Sequence, residues 1–245
     1  MFSSDAAYDR FMGRFSTKLA PLFADFAGVE AGDSVLDVGA GTGALTAELA
    51  RRAAAVAAVD PSPEFAATLR ERFPDVDARQ GAAEELPWAD ESFDSALAQL
   101  VVAFMSDAPA GVAEMRRVVR PGGAVAVCMW MRDEMELLAA INRTQAVISP
   151  ERSADVPPYR SPEAARELLG ANADVELLTV QADYTGFDDF WSALDGGAGP
   201  AGVWLQSLSS EQRETAREEL YRQVGEPPGA FTLSGTAWAA RVTLE

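Results

Sequence analysis

Between residues 34 and 128 short apolar runs alternate with amphipathic stretches, the pattern of strands and helices taken in turn. Ser34–Val38 and residues 55–59, 75–80, 93–98 and 124–128 read as five strands. Ala44–Arg52 and residues 62–73 and 112–119 read as the helices between them. Ser62 suits an N-cap, with Pro63 at the first helical position and Glu64 in the first turn, where an acid favours the helix dipole. Strand and helix in repetition build βαβ units, so the pattern predicts a doubly wound α/β core on a mostly parallel sheet. Ahead of it, Phe11, Phe15, Leu19, Leu22 and Phe26 recur every three or four residues and predict helix over 5–28 with one apolar face. After Met131 the texture changes. Residues 134–147, 161–169, 187–194 and 210–224 read as helices, and 175–184 and 231–243 as strands. The segments 153–158 and 196–200, rich in turn-forming residues, read as mobile connections. No internal repeat or low-complexity tract is present.

Composition narrows the chemistry. The 245 residues are 48% hydrophobic and 24% charged, which excludes disorder throughout and suits one large α/β domain or a core with a smaller cap. No run reaches the roughly 18 apolar residues that a membrane helix needs, and Met1-Phe2-Ser3-Ser4-Asp5 lacks the basic start and apolar core of a secretory signal, so a cytoplasmic location without membrane insertion is expected. The chain has no histidine and one cysteine, Cys128. Ser-His-Asp and Cys-His catalysis are therefore excluded, as are a disulfide and a cysteine- or histidine-based metal site; no metal is expected. A net charge of −18 without a basic patch argues against nucleic acid as partner.

The sharpest signal is Val35-Leu36-Asp37-Val38-Gly39-Ala40-Gly41-Thr42-Gly43, an apolar strand entering three alternating glycines and then a helix. Glycine there allows a tight turn and lets a ligand approach the main chain. Asp60 closes the second strand 21 residues after Gly39, where a carboxylate can accept both hydroxyls of a ribose. Gly39, Gly41 and Ala44 also satisfy a dinucleotide fingerprint, so a nicotinamide oxidoreductase competes. Gly43, the acid at Asp37 and the residues downstream favour S-adenosylmethionine. A carboxylate aimed at the turn suits a ligand with an ammonium group and opposes a pyrophosphate.

On these residues the sequence resembles the class I S-adenosylmethionine-dependent methyltransferases, in particular the small-molecule enzymes of ubiquinone and menaquinone biosynthesis. The resemblance covers about residues 8–130. Asp37 to Gly43 matches the first motif, and Val59-Asp60-Pro61-Ser62 the acidic end of the second strand. Gly81-Ala82-Ala83-Glu84-Glu85-Leu86-Pro87-Trp88 with residues 90–94 is similar to the adenine-binding loop and fourth strand. Arg117-Val118-Val119-Arg120-Pro121-Gly122-Gly123 is similar to the turn into the fifth, and residues 8–15 to the amino-terminal segment that folds over the cofactor. The resemblance implies a seven-stranded Rossmann-like methyltransferase fold with an antiparallel last strand and a helical cap. It further implies that Gly39, Ala40 and Gly41 approach the methionine portion, that Asp37 and the main chain near Gln99 serve the ammonium, and that Asp60 and Pro61 border the ribose. Ala82 and Ala83 would lie at the adenine, Arg14 would pair with the cofactor carboxylate, and Tyr8 and Met12 would help to close the site. Relatives often carry Asp where this chain has Ala82, a loss worth about 0.5–1.5 kcal/mol in one hydrogen bond.

The organisation expected from this is a helical lid over 1–30, a cofactor-binding core over 31–130, and the remaining strands with helical substrate-cap insertions over 131–245. The activity implied is methyl transfer to a small molecule, a secondary or quinone-like aromatic metabolite. A cofactor-binding protein with a regulatory role or another reaction is the alternative, and the homodimer a candidate assembly. Methyl transfer needs positioning before it needs acid or base, and orientation in a dry site contributes roughly 7–11 kcal/mol. No general base stands out. Glu134, Asp188 and Asp189 are the nearest plausible proton acceptors, and Phe104, Met105, Trp130, Met131, Tyr159, Tyr184, Trp191 and Trp204 the candidate walls of an acceptor pocket. Cys128 reads as a small core residue.

Overall fold

A computed structural model of the chain describes residues 5–53, 55–151, 159, 161–196 and 199–245. The sheet has seven strands, β1 (Ser34–Val38), β2 (Ala55–Asp60), β3 (Asp77–Gln80), β4 (Phe93–Gln99), β5 (Val119–Met135), β6 (Asp174–Tyr184) and β7 (Phe231–Thr243), in the order β3-β2-β1-β4-β5-β7-β6. The pairs β1–β2, β1–β4, β2–β3 and β4–β5 are parallel, and the β7/β6 end is antiparallel. This is the doubly wound sheet that the apolar pattern predicts. Two compact units divide the chain: Met1–Phe15, Met131–Val156 and Thr179–Thr236 form one, and Ser16–Trp130, Pro157–Leu178 and Ala237–Glu245 the other. The long strands β5, β6 and β7 run from one into the other.

The larger unit holds the βαβ core. Val35, Leu36 and Val38 of β1, Ala96 and Leu97 of β4, and Val125, Val127 and Cys128 of β5 are buried, as a central parallel sheet covered on both faces requires. The helices α3 (Ala44–Arg52), α4 (Pro63–Arg72) and α5 (Ala108–Val118) form the crossovers. The Ser62 hydroxyl accepts from Phe65 N at 3.4 Å and Asp107 from Ala110 N at 3.0 Å, so each caps its helix; α5 starts four residues earlier than periodicity alone predicts because the Asp107 cap and Pro109 mark its true start. Helix α2 (Gly13–Ala27) buries Leu19 and Phe23, and Arg52 of α3 holds the carbonyl of Pro21 and the Asp25 carboxylate. A break at Met12 separates α2 from α1 (Asp5–Phe11), where the sequence pattern predicts one helix. Within β5 the register jumps from Phe93 beside Val119 to Ser95 beside Ala124. Residues 120–123, expected as a turn before the strand, therefore bulge out inside it, with Gly122 at φ +82°. Helix α7 (Pro162–Leu169) is tied to α5 by Arg116, which donates to the Leu169 carbonyl at 2.7 Å.

The smaller unit is helical, with α6 (Glu136–Ile148), α8 (Phe187–Asp195), α9 (Gly199–Ser207) and α10 (Ser210–Gln223). A capping box of Ser209 and Gln212 starts α10. Its core is aromatic: the Tyr184 ring stacks on Phe231 and meets Phe190 edge-on, both at 5.2 Å, while Phe187 meets Tyr221 at 5.0 Å. Helix α9 was not expected. Its buried Trp204 and Leu205 follow a Gly-Pro start whose local signal is that of a turn, and tertiary burial decides the outcome. The expected connection 153–158 and part of 196–200 lie outside the described residues.

Candidate cofactor site

Where β1 ends, the chain turns through Gly39, Gly41 and Gly43, all at positive φ (71°, 55° and 91°). Their reasons differ. A Cβ on Gly39 would overlap Val101, and one on Gly43 would overlap the Phe73 ring, so these two are glycines because protein atoms fill the space. A Cβ on Gly41 would meet no atom within 4 Å, so open space adjoins the backbone only at the middle of the turn. The turn is held from β2, with the amides of Gly39 and Ala40 both donating to the Val59 carbonyl at 2.8 and 3.0 Å. From α4, Arg72 donates to the Thr42 carbonyl at 3.0 Å.

Two carboxylates face this turn. Asp60, 6% exposed at the end of β2, accepts from Gly41 N through one oxygen and from Ser62 N through the other, both at 2.9 Å. Burial raises its pKa, and the two amides oppose that shift. Each oxygen keeps lone-pair capacity beyond the one bond it accepts. Asp37, in β1 and 1% exposed, accepts from the Thr46 hydroxyl at 2.6 Å. Burial pushes its pKa up to about 7, against the opposing bond from Thr46 and with a further push from the charge of Asp60. Thr46 carries no motif signal; only its buried position one turn into α3 reveals that it orients Asp37.

At the end of β4, Gln99 donates to the Ser16 carbonyl at 3.1 Å, while its Oε1 is buried without a hydrogen-bond partner among the described residues. Leu100 follows at φ +64°, a strained position for leucine. Ala83 is buried, and its Cβ lies 3.3 Å from where a Cβ on Gly111 of α5 would stand, so the Ala82-Ala83 loop rests closely on that helix. Arg117 fastens the same loop, donating to the carbonyls of Leu86 and Trp88 and pairing with Glu114 and Asp90 at 2.7 and 2.8 Å. Pro61 accepts through its carbonyl from Gln80 at 3.3 Å. Asp37, Gly39, Ala40, Gly41, Asp60, Pro61, Ala82, Ala83 and Gln99 thus all belong to the larger unit, at the carboxyl ends of its strands.

A strand-end glycine turn with an acid at the end of the next strand is the arrangement of a site for a nucleoside-containing cofactor, and residues 36–127 match the methyltransferase domain family. Sequence relatives of the chain include an uncharacterized methyltransferase of Mycobacterium tuberculosis, 44% identical over 100 residues, which are 41% of each chain. They also include a demethylmenaquinone methyltransferase of Mycobacterium sp. (strain JLS), 44% identical over 101 residues, 41% of this chain and 43% of that one. The matched part is thus less than half the length of these relatives. A structure from Anaeromyxobacter dehalogenans described as a type II methyltransferase matches 93% of this chain and 95% of its own, with TM-score 0.64 at 22% identity, and shows the fold. S-adenosylmethionine is the cofactor that this domain family implies. The residues fit it on two counts: open space adjoins the backbone at Gly41, and the buried Oε1 of Gln99 is an unmet acceptor suited to an N–H donor.

The remaining predicted residues fall in the smaller unit or pack elsewhere. Tyr8, Met12 and Arg14 belong to the smaller unit. Arg14 is held there in a bidentate pair by Asp189, at 2.9 and 2.5 Å, donates to the Asp183 carbonyl at 2.9 Å, and lies 4.8 Å from the Tyr184 ring centre. Its bonds to Arg14 hold the Asp189 carboxyl below the usual range, which makes it a weak base, and Asp188 is paired with Arg217. Tyr184 and Trp204 are core side chains, Trp191 stacks on Phe187, and Phe104, just after β4, is 66% exposed. Cys128 is buried as expected, which pushes its thiol pKa well up.

Proposed function

We propose that the chain transfers a methyl group to a small-molecule acceptor, and that Gly39, Ala40, Gly41, Asp60, Pro61, Ala82, Ala83 and Gln99 hold S-adenosylmethionine in the larger unit. The observation that carries this reading is the pairing of open space at Gly41 with the buried Asp60 carboxylate that already grips the Gly41 amide. When bound, S-adenosylmethionine supplies a methyl group on a sulfonium, whose leaving group is a neutral thioether. Asp60 binds by accepting from ribose hydroxyls with the lone pairs left to it. Asp37 and Gln99 Oε1 are acceptors for an ammonium group; Asp37, titrating near neutrality, holds a proton when that charge is absent and releases it when the charge arrives. Ala83, buried against α5, presents backbone rather than side chain to the adenine edge. Orientation by this rigid frame contributes most of the rate, as no histidine is present and two of the three candidate acids, Asp188 and Asp189, are engaged by arginines.

The acceptor class that suits the reading is a quinone-like or aromatic metabolite, supported by the match to demethylmenaquinone methyltransferase over residues of the same domain. Such an acceptor in the cytoplasm requires no membrane-crossing element, and no helix among the described residues is long and apolar enough to cross a membrane. The test is release of S-adenosylhomocysteine from S-adenosylmethionine with a panel of hydroquinones, phenols and amines. Turnover lost in Asp60→Ala supports the reading. Tight S-adenosylhomocysteine binding without turnover of any acceptor would favour the regulatory alternative, and binding of NADH in preference to S-adenosylmethionine would overturn the cofactor.

A further inference from the structure

At the opposite edge of the larger unit, where β1, β4 and β5 begin, the structure has a cavity of about 420 Å³. It is within the size range of ligand pockets. Its lining includes Glu30, Asp33, Ser95, Arg120 and Arg241. Strand β1 separates it from the glycine turn by about 16 Å, so it is not part of the cofactor site. The wall is built rather than incidental. Residues 120–123 bulge from β5 into it, clamped by Gly122 N donating to the Leu244 carbonyl and Leu244 N to the Gly123 carbonyl, both at 2.9 Å. A Cβ on Gly123 would overlap the Asp94 carbonyl, so only glycine permits this path.

The polar groups around the cavity are unevenly satisfied. Ser95, 4% exposed, has a hydroxyl without any hydrogen-bond partner among the described residues, a costly state for a buried donor and acceptor. Arg241 reaches only the carbonyls of Phe26 and Ala27, both at 3.4 Å, and has no carboxylate partner among the described residues. Asp94 is fully engaged, by Ser34 N at 2.8 Å and Arg120 at 3.1 Å. Asp33 uses one oxygen for Glu30 N at 2.8 Å, and the Glu30 carboxylate has no partner among the described residues. An open guanidinium and open carboxylates thus line one cavity, with the Ser95 hydroxyl buried in its wall. A simple anion would answer Arg241 but would face three carboxylates on a chain of net charge −18. A simple cation would leave Arg241 unmet. A ligand carrying both charges answers all of them.

We propose that this cavity is a second ligand site for a small zwitterion of the α-amino acid kind, its carboxylate on Arg241 and its ammonium on Glu30 and Asp33. The experiment is amide NMR of the full chain titrated with L-alanine and L-glutamine, and with propionate and ethylamine as probes of either charge alone, up to about 10 mM, a range that captures millimolar affinity. The amino acids should give saturable shifts confined to residues 94–95, 120–124 and 241–243, and the single-charge probes should bind at least about tenfold more weakly. Arg241→Gln should abolish the shifts while S-adenosylhomocysteine binding and the melting temperature stay as in the parent chain, which separates loss of this site from loss of the fold or the cofactor site. Absence of saturable shifts in these segments, equal affinity for propionate, or unchanged binding in Arg241→Gln would each overturn the proposal.

Discussion

Replacing Asp37 by Asn tests the electrostatics beneath the glycine turn. The carboxyl ordinarily titrates near 3.8 and here at about 7, because burial outweighs the hydrogen bonds from the Thr46 hydroxyl and backbone. The folded state therefore holds this proton more tightly than the unfolded chain does. Where the folded state binds more protons, stability falls as pH rises, so the loss begins near pH 4 and is complete once pH passes about 7. A separation of that size corresponds to at most about 4 kcal/mol between the fully protonated and fully ionised limits. Asp60, also raised by burial, contributes in the same direction, whereas Glu48, Asp77, Glu114 and Asp189 are lowered and act below the ordinary carboxylate range. Asn keeps an acceptor for Thr46 but cannot ionise. Its new amide N–H groups cost about 1–3 kcal/mol if unmet, a pH-independent offset. Urea unfolding of both proteins from pH 5 to 8 isolates the effect in the slopes: the parent should lose stability across this window and Asp37→Asn should lose much less. Parallel curves would show that Asp37 is ionised at low cost and that burial does not control its protonation.

Calorimetry of S-adenosylhomocysteine binding at pH 7 in buffers of different ionisation enthalpy should reveal proton release in the parent chain and little in Asp37→Asn, if the ligand ammonium displaces that proton. Asp60→Ala should weaken the same binding by about 1.5–3 kcal/mol, the range for hydrogen bonds to a charged group; unchanged affinity in a folded variant would remove Asp60 from the site. Gly39→Ala and Gly41→Ala should separate structure from binding, because a methyl at 39 overlaps Val101 while one at 41 meets only open space. The first should lower thermal stability markedly, and the second should cost about 1 kcal/mol of backbone strain while impairing S-adenosylhomocysteine binding. A double-mutant cycle on Arg14→Gln and Asp189→Asn, read by urea unfolding, should give a coupling of about 1 kcal/mol, since the bidentate pair is mostly shielded from solvent; zero coupling would make it an incidental surface pair.

Period and punctuation act over a few residues, and what depends on them was legible in the chain alone. The apolar runs locate β1 to β5, Ser62 with Pro63 marks the start of α4, and the Asp37–Gly43 turn with Asp60 marks the site proposed for the cofactor, because a parallel strand must expose its carboxyl end to the following turn. Residues 5–28 were correctly helical but not seen to break at Met12, and α9 was missed because burial of Trp204 and Leu205, rather than local propensity, makes its helix worthwhile. The partner of Arg14 lies 175 residues away at Asp189, and no spacing rule connects them. The three glycines looked alike in sequence, yet Gly39 and Gly43 are required by Val101 and Phe73 and only Gly41 borders open space. Thr46 beneath Asp37, the unmet oxygen of Gln99 and the cavity at the start of the strands likewise exist only once distant segments meet. Local periodicity determines which segments become strands and helices, but desolvation and partner choice are set by atoms brought together from far along the chain, and those decide which of the predicted polar groups remain open to a ligand.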